Sequence, residues 1–289
     1  MTTKANTPER TADALKLLED GIKKLTSSEE WARYLQMQAA FHTYSFSNVQ
    51  LILAQRADAT RVAGFKTWEK LGRMVRKGEK ALWILAPRHY KPKDSLPAPE
   101  AQDGSDDTEQ LKVYFRAVPV FDISQTEGDE LPSLVKKLVG DNDGGAFERL
   151  KAFSESRGCP VTVEAITGRS NGYFAPLENR IVVRKGLAPV QAAKTLIHEI
   201  AHSFLHTDLQ IYQAHRGDCE LEAESVAFVV LCHFGIDSGN YSFGYVTGWQ
   251  GGDEAAIKAL KASAQRIQVT AKTIIEGIQQ IAEEDPSDE

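Results

Sequence analysis

Apolar residues recur along this chain at two spacings, and the change from one to the other marks out its elements. Trp31 and Leu35 lie four apart, with Phe41 further on, as on one side of a helix, whereas Ala81-Leu82-Trp83-Ile84-Leu85 is an unbroken apolar run of strand length. Thr7-Pro8 sets an N-cap residue before a proline suited to the first helical turn, which predicts a helix to about Lys24. Thr26-Ser27-Ser28-Glu29 is a capping-box pattern ahead of the helix that carries Trp31, Leu35 and Phe41. A short third helix runs through Val49-Gln50-Leu51-Ile52-Leu53, and Thr67 to Val75 reads as a fourth, stopped at Lys77-Gly78. Leu111 to Phe121 is the expected partner of the 81–85 strand, with Pro119 implying an edge or a bulge. Between the two strands, residues 87–110 are rich in Pro, Asp and Ser and are expected to form a disordered loop.

The pattern changes after Glu127-Gly128-Asp129, where a domain boundary is expected. Helices follow at 133–138 and 145–156, then short strands at 161–165, 172–175 and 181–184, with a turn at Asn179. A helix from about Pro189 to Leu205 buries Ala193, Ile197, Ile200, Ala201 and Phe204 along one stripe. Another, roughly Cys219 to Phe234, is strongly apolar on one side, and a long amphipathic helix runs from Glu254 towards Ala282. Helices on a small, mostly antiparallel sheet give an α+β class to both domains. Residues 1–128 form a domain of helices and a β-hairpin, and residues 129–289 one built on a small sheet and the 189–205 helix.

Charge changes this picture locally. The chain has 34 Lys and Arg against 40 Asp and Glu, a net charge of -6, which argues against a protein coated in nucleic acid. Yet nine basic residues lie between Lys66 and Lys93 against Glu69 and Glu79 alone, a local site for an anionic partner. Acidic residues dominate from Asp94 to Glu130. No apolar run approaches the roughly 20 residues that span a bilayer, and the first residues lack a secretory apolar stretch, so the expectation is a cytoplasmic protein without membrane partners. Cys159, Cys219 and Cys232 have no metal-ligand spacing and read as free thiols.

The chemistry concentrates in His198-Glu199-Ile200-Ala201-His202. Histidines four apart share one helix face, so His198 and His202 can reach a single ion. Glu199, rotated about 100° from His198, approaches the ion from the side, through a water. Zinc lowers the pKa of such a water and the carboxylate takes its proton, which makes Glu199 the general base of a metallopeptidase-type hydrolase with one zinc per chain. A third protein ligand is required. The His-x-x-Gly-x-x-His pattern is absent, because position 205 is Leu and position 208 is Asp. Glu222, a carboxylate directly before Ala some 20 residues downstream, is favoured as in thermolysin-like zincins, with Glu220 and His206 as alternatives. Tyr173, His215 and His233 are unranked donors to the transition state.

His198-Glu-Ile-Ala-His202 followed by Glu222-Ala-Glu-Ser-Val-Ala227 resembles the ImmA/IrrE metallopeptidases over about residues 140–235. The resemblance implies a zincin-like fold with His198, His202 and Glu222 as zinc ligands and Glu199 as the catalytic glutamate. It departs at Glu224, where that group often has Asn.

Three further segments, Tyr44-Ser-Phe-Ser-Asn48, Gly64-Phe-Lys-Thr-Trp68 through Val75-Arg-Lys-Gly-Glu-Lys80, and Val120-Phe-Asp-Ile-Ser-Gln-Thr-Glu-Gly128, resemble the single-stranded-DNA-binding domain of ArdC-type antirestriction proteins. Such proteins join that domain to a zinc-dependent C-terminal one and protect incoming mobile DNA from restriction. The implied partner is single-stranded DNA, with a protein substrate for the hydrolase.

The residue chemistry agrees. Lys66, Arg73, Arg76, Lys77 and Lys80 can neutralise phosphates and Trp68 can stack on unpaired bases, so these six are the expected DNA contacts. Trp83, Tyr90, Tyr114 and Phe115 are interleaved with them, Trp83 reading as core. Two rival readings remain: a DNA-coating protein whose zinc is only structural, closed by His206 or His215, and a peptidase that cleaves a repressor.

Overall fold

The computed structural model describes residues 7–25, 27–90, 112–131, 144–236 and 253–284. Three helices open the chain: α1 (Thr7–Lys24), α2 (Ser28–Ala40) and α3 (Phe46–Gln55). Ser27 caps α2, its hydroxyl accepting the Glu30 N–H at 3.2 Å, and Ser45 caps α3 in the same manner. Then come β1 (Val62–Ala63), α4 (Phe65–Lys70), β2 (Arg73–Val75), β3 (Leu82–Tyr90), β4 (Lys112–Asp122), a 3₁₀ turn at Ile123–Gln125 and β5 (Thr126–Gly128).

The helix expected over 67–75 is therefore shorter. Gly72 takes a left-handed φ of 72°, which turns the chain out of α4, and Arg73, Met74 and Val75 pair with residues 126–128 as a strand. Most of the expected 87–110 loop lies outside the described residues, as does the expected 133–138 helix; β3 itself continues to Tyr90.

Sheet order is β1-β4-β3, all antiparallel. Because β1 covers only Phe121 and Asp122 of β4, Pro119 has no strand among the described residues on the flank away from β3. That is the edge position its missing N–H demands. The outer edge of β3 is covered by amide side chains from α3. Asn48 and Gln55 each exchange a pair of hydrogen bonds with the backbone of Leu85 and Trp83, at 2.9–3.0 Å. Two side chains thus satisfy edge groups that would otherwise invite another strand. Asp122 and Gln125 fasten the far end: Asp122 accepts the N–H groups of Thr60, Arg61 and Ser124, and Gln125 donates to Lys80 O at 2.8 Å.

The second half contains α5 (Gly144–Ser156), β6 (Val161–Glu164), β7 (Gly172–Ala175), β8 (Arg180–Arg184), α6 (Pro189–Leu205), α7 (Leu209–Ala214), α8 (Arg216–His233) and α9 (Glu254–Glu284). Its sheet runs β6-β8-β7, with β7 antiparallel to β8 and β6 parallel to it, where a mostly antiparallel sheet was expected. Asn179 makes the expected turn at φ 45°. The helices α5, α6, α8 and α9 close over a core that includes Leu150, Leu196, Ile200, Val230, Ile267 and Ile274, each at most 1% exposed. Full burial of such side chains contributes about 1.5–3 kcal/mol apiece.

The expected boundary at 127–129 falls just after β5, where the Asp129 N–H still bonds Gly72 O. The buried apolar cluster continues from one side of it to the other. Trp31 of α2 donates its indole N–H to Ser225 of α8 at 3.1 Å, both fully buried. Among the described residues no helix is long and apolar enough to cross a membrane.

Candidate metal centre

Pro189 sits at the start of α6, where a missing N–H is harmless. The helix buries Ala193, Leu196, Ile197, Ile200 and Ala201, and that packing fixes its rotation. His198 and His202 then emerge on one side, their Nε2 atoms 3.0 Å apart. From α8, Glu220 brings its carboxylate to 3.4 Å from His198 Nε2 and 3.8 Å from His202 Nε2. One ligand atom from each of these three residues lies within 4.8 Å of the other two. Two imidazoles and a carboxylate are a donor set suited to zinc, with room left for a further ligand.

The structure puts Glu220, not the expected Glu222, at the third position. Residues two apart on a helix point about 200° apart, so only one of them can face α6. Glu222 turns towards α9, where its carboxylate accepts hydrogen bonds from Ser263 and both Nε and Nη2 of Arg266. It also meets His206 Nε2 at 3.2 Å, and it is 3% exposed. His206, the other alternative, directs its Nδ1 to His202 Nδ1 at 2.9 Å. Glu224 flanks the opposite side, 3.3 Å from His198 Nδ1 and 3.0 Å from Lys194.

Glu199 is 7% exposed and accepts the backbone N–H of Phe174 from β7. This approach depends on Gly172. A Cβ there would stand 2.6 Å from the Thr195 methyl, 2.9 Å from Val182 O and 3.4 Å from Glu199 Cγ, so a side chain would force β7 away from α6. His198, Glu199 and His202 line a cavity of about 310 Å³ together with Tyr173, Phe174, Tyr212 and Arg216. Short α7, capped by Asp208, carries Tyr212 to it, and the Tyr212 hydroxyl donates to Glu220 at 2.5 Å.

The electrostatics reflect crowding without a cation. Burial lowers the His198 pKa, but the carboxylates of Glu220 and Glu224 outweigh it and raise it to about 9. Burial and the nearby His198 hold His202 down at about 3, so it is neutral and can donate a lone pair. Glu220 is pulled to about 2, first by its bond to His198. Burial pushes Glu199 up to about 7, against the opposing pull of His198. Three carboxylates, Glu199, Glu220 and Glu224, thus surround the His198 and His202 rings, each with its charge set by burial and by those neighbours.

The other expected site residues scatter. Of the three donor candidates, Tyr173 lines the cavity. His215 is exposed at the junction of α7 and α8, and His233 donates to Ala39 O with its ring 4.5 Å from His42. Tyr212 went unforeseen because α7 has no apolar stripe to betray it. Of the expected DNA contacts, Lys66, Arg76, Lys77 and Lys80 are exposed on α4 and on the β2–β3 connection. Arg76 also pairs with Glu79 at 2.9 Å. Trp68 is wholly buried, its indole N–H on Phe121 O at 2.9 Å, so it is core and presents no face for stacking. Arg73 spends its guanidinium on Thr126, Gly128 and Asp129, joining β2 to β5. Trp83 lies under Arg10, 4.3 Å from ring centroid to guanidinium, while Tyr114 and Phe115 are 47% and 59% exposed.

Both resemblances read from the sequence are matched by family models. Residues 6–121 match the N-terminal domain of anti-restriction factor ArdC, and residues 155–232 match the IrrE N-terminal-like domain of the M78 peptidases. An uncharacterized protein of Bacillus anthracis is 26% identical over 310 aligned positions, taking in 96% of this chain and 52% of the relative. The chain therefore spans about half the length of that curated relative. The crystal structure of antirestriction ArdC protein from the R388 plasmid superposes in its Mn(II)-bound form with a TM-score of 0.54, at 18% identity, over 92% of this chain and 98% of that one. The metal-free form gives 0.52 over 82% and 84%. The likeness is one of fold: an ArdC-like N-terminal region followed by an IrrE-like one, in a mixture of helices and small sheets.

Proposed function

We propose that this chain is a cytoplasmic, single-stranded-DNA-binding protein of antirestriction type, whose second half is a zinc-dependent, metallopeptidase-like hydrolase. The division of labour falls at residues 128 and 129. The observation that carries the reading is the meeting of His198, His202 and Glu220 on an open cavity with Glu199 beside them. We assign these three as ligands of one zinc ion, with Glu220 replacing Glu222 in the set expected from the sequence. A neighbour of the same fold, ArdC from the R388 plasmid, has a Mn(II)-bound form, which supports a divalent cation for this fold. Among the described residues no fourth protein group joins the cluster, which favours a catalytic over a structural site.

A bound zinc ion supplies Lewis acidity to a water and to a substrate carbonyl. The chain does the rest. Glu199 accepts the proton of a water in the cavity while the Phe174 N–H holds its carboxylate in place. Tyr212 holds Glu220, and Tyr173, which lines the same cavity, is assigned as donor to a developing oxyanion. In the N-terminal half we assign phosphate contacts to Lys66, Arg76, Lys77 and Lys80, and stacking to the exposed rings of Tyr114 and Phe115. Trp68 and Arg73 are structural, Trp68 in the core on Phe121 O and Arg73 joining β2 to β5.

The deciding experiment counts zinc per chain by mass spectrometry after equilibrium dialysis. Glu220→Ala should abolish stoichiometric zinc, and Glu222→Ala should weaken binding but reach one ion per chain at saturation. The reverse result would return the ligand role to Glu222.

A further inference from the structure

Two groups in the second half have no place in the chemistry above. His206 and Glu222 are 8% and 3% exposed, and each is a group that resists burial unless fully partnered. They form one line. Glu222 Oε2 lies 3.2 Å from His206 Nε2, and His206 Nδ1 lies 2.9 Å from His202 Nδ1. His202 Nε2 then faces His198 and Glu220. Behind Glu222 stand Ser263 and Arg266 of α9.

We infer that Glu222 and His206 are positioning residues for His202: their buried relay sets the tautomer that presents the His202 Nε2 lone pair to the cation. This rests on the metal reading above. His206 is taken as a neutral imidazole between its two partners, and the inventory of donors and acceptors then places each proton. An ionised carboxylate accepts and never donates, so the proton between Glu222 and His206 sits on His206 Nε2. A neutral imidazole carries one N–H and one lone pair, so His206 Nδ1 is then an acceptor. The only proton available to the 2.9 Å contact is on His202 Nδ1. His202 Nε2 is left with a lone pair, aimed at the cluster. Ser263 and Arg266 donate to Glu222 from the other side, which holds it in the role of acceptor. The relay also joins α6, α8 and α9, so the direction of one lone pair is fixed by three helices at once.

The tautomers can be read without metal, in full-length protein carrying ¹⁵N-labelled histidine, from the long-range N–H couplings of the two rings. Native protein should show the proton on Nδ1 of His202 and on Nε2 of His206. Glu222→Gln keeps the shape but offers an amide N–H to His206 Nε2, which inverts both rings. Zinc affinity, measured by competition with a chromogenic chelator, should then fall about 10–100-fold while saturating at one ion per chain. His206→Phe keeps a ring and removes both nitrogens. It should weaken zinc over the same range and alter the visible spectrum of the Co²⁺-loaded protein.

Unchanged tautomers and unchanged zinc affinity in Glu222→Gln overturn the relay. So does a His206→Phe chain that binds zinc as tightly as the native one, should the glutamine variant fail to fold. Complete loss of the zinc site in Glu222→Gln, with zinc retained in Glu220→Ala, makes Glu222 a ligand and overturns it too. A native chain that binds no zinc defeats the metal reading, but the tautomer measurement still decides the relay.

Discussion

The metal cluster on α6 and α8 and the basic surface on α4 and β2 use charged residues in opposite ways. In and behind the cluster, Glu199, His202, His206 and Glu222 are each no more than 8% exposed, while His198 and Glu220 are half-buried at the cavity, and each has a named partner. On the basic surface, Arg76 pairs with Glu79 at 2.9 Å and donates to Ser124 O at 2.6 Å, and among the described residues Lys66, Lys77 and Lys80 are exposed. The buried residue expected there, Trp68, is part of the core. Coordination needs several groups brought within tenths of an ångström, so it must be built on packed helices. Attraction of a polyanion needs only charge density, and long solvated side chains supply it. The first kind of site is visible in geometry, the second in composition.

That contrast can be broken or sharpened by experiment, beginning with the largest effect. Glu199→Gln retains size and loses the base, so turnover of any substrate should fall about 10²–10⁴-fold. Zinc content and DNA affinity should stay put, as measured by dialysis and by fluorescence anisotropy. Full activity in a zinc-loaded Glu199→Gln protein would turn the cluster into a structural site. Next in size is the pH dependence of zinc uptake. In the metal-free chain His198 titrates at about 9, so below that pH an incoming cation must displace its proton. Apparent zinc affinity should therefore rise about tenfold per pH unit from 7 to 9 and level off above, in chelator-competition titrations. A flat profile over that interval would mean that His198 carries no such proton.

Gly172→Ala tests whether the cluster depends on close packing. Its Cβ would fall 2.6 Å from Thr195 Cγ2, and overpacking of this kind costs about 1–3 kcal/mol. A lowered denaturation midpoint together with weaker zinc binding is expected. An unchanged protein would show that β7 yields freely.

The smallest effect belongs to the basic surface. Replacing Lys66, Lys77 and Lys80 together by Ala should leave stability within about 0.5 kcal/mol, as for ordinary surface changes. It should also flatten the slope of log K against log salt on single-stranded DNA by about two units. Arg73→Ala should do the converse, lowering stability because it unties β2 from β5, with little change in slope. If Arg73→Ala alone shifts the slope, the division between structural and contact residues is wrong.

The difference between the regions also explains what the sequence could tell. The spacing of His198, Glu199 and His202 is a helix property, readable without coordinates. Which of Glu220 and Glu222 faces them is not, because it depends on the rotation of α8 about its own axis. That rotation is set by burial of Ala223, Val226, Ala227 and Val230 where α8 packs on its neighbouring helices, a tertiary fact. The local pattern Arg73-Met74-Val75 continued a helix on paper, and a left-handed Gly72 and a distant partner at 126–128 overruled it. Trp68 misled for a related reason: an indole amid lysines looks like a stacking surface until Phe121 O is found at its N–H. The Val120–Gly128 segment that resembles a DNA-binding family does its visible work internally, through Asp122 and Gln125.

The helix α9 has a consequence for how the protein is made. It supplies Ser263 and Arg266 to Glu222, Gln268 to the His42 carbonyl and Gln279 to His233, so it touches the cluster's support and the first half of the chain alike. A ribosome delivers α6 and α8 well before α9. During that interval Glu222 has neither of its α9 donors, and the side of α8 that packs on α9 is uncovered. The residues of the basic surface, from Lys66 to Gly128, are all delivered by then. A nascent chain would thus be able to meet an anionic polymer while its metal cluster is still unfinished.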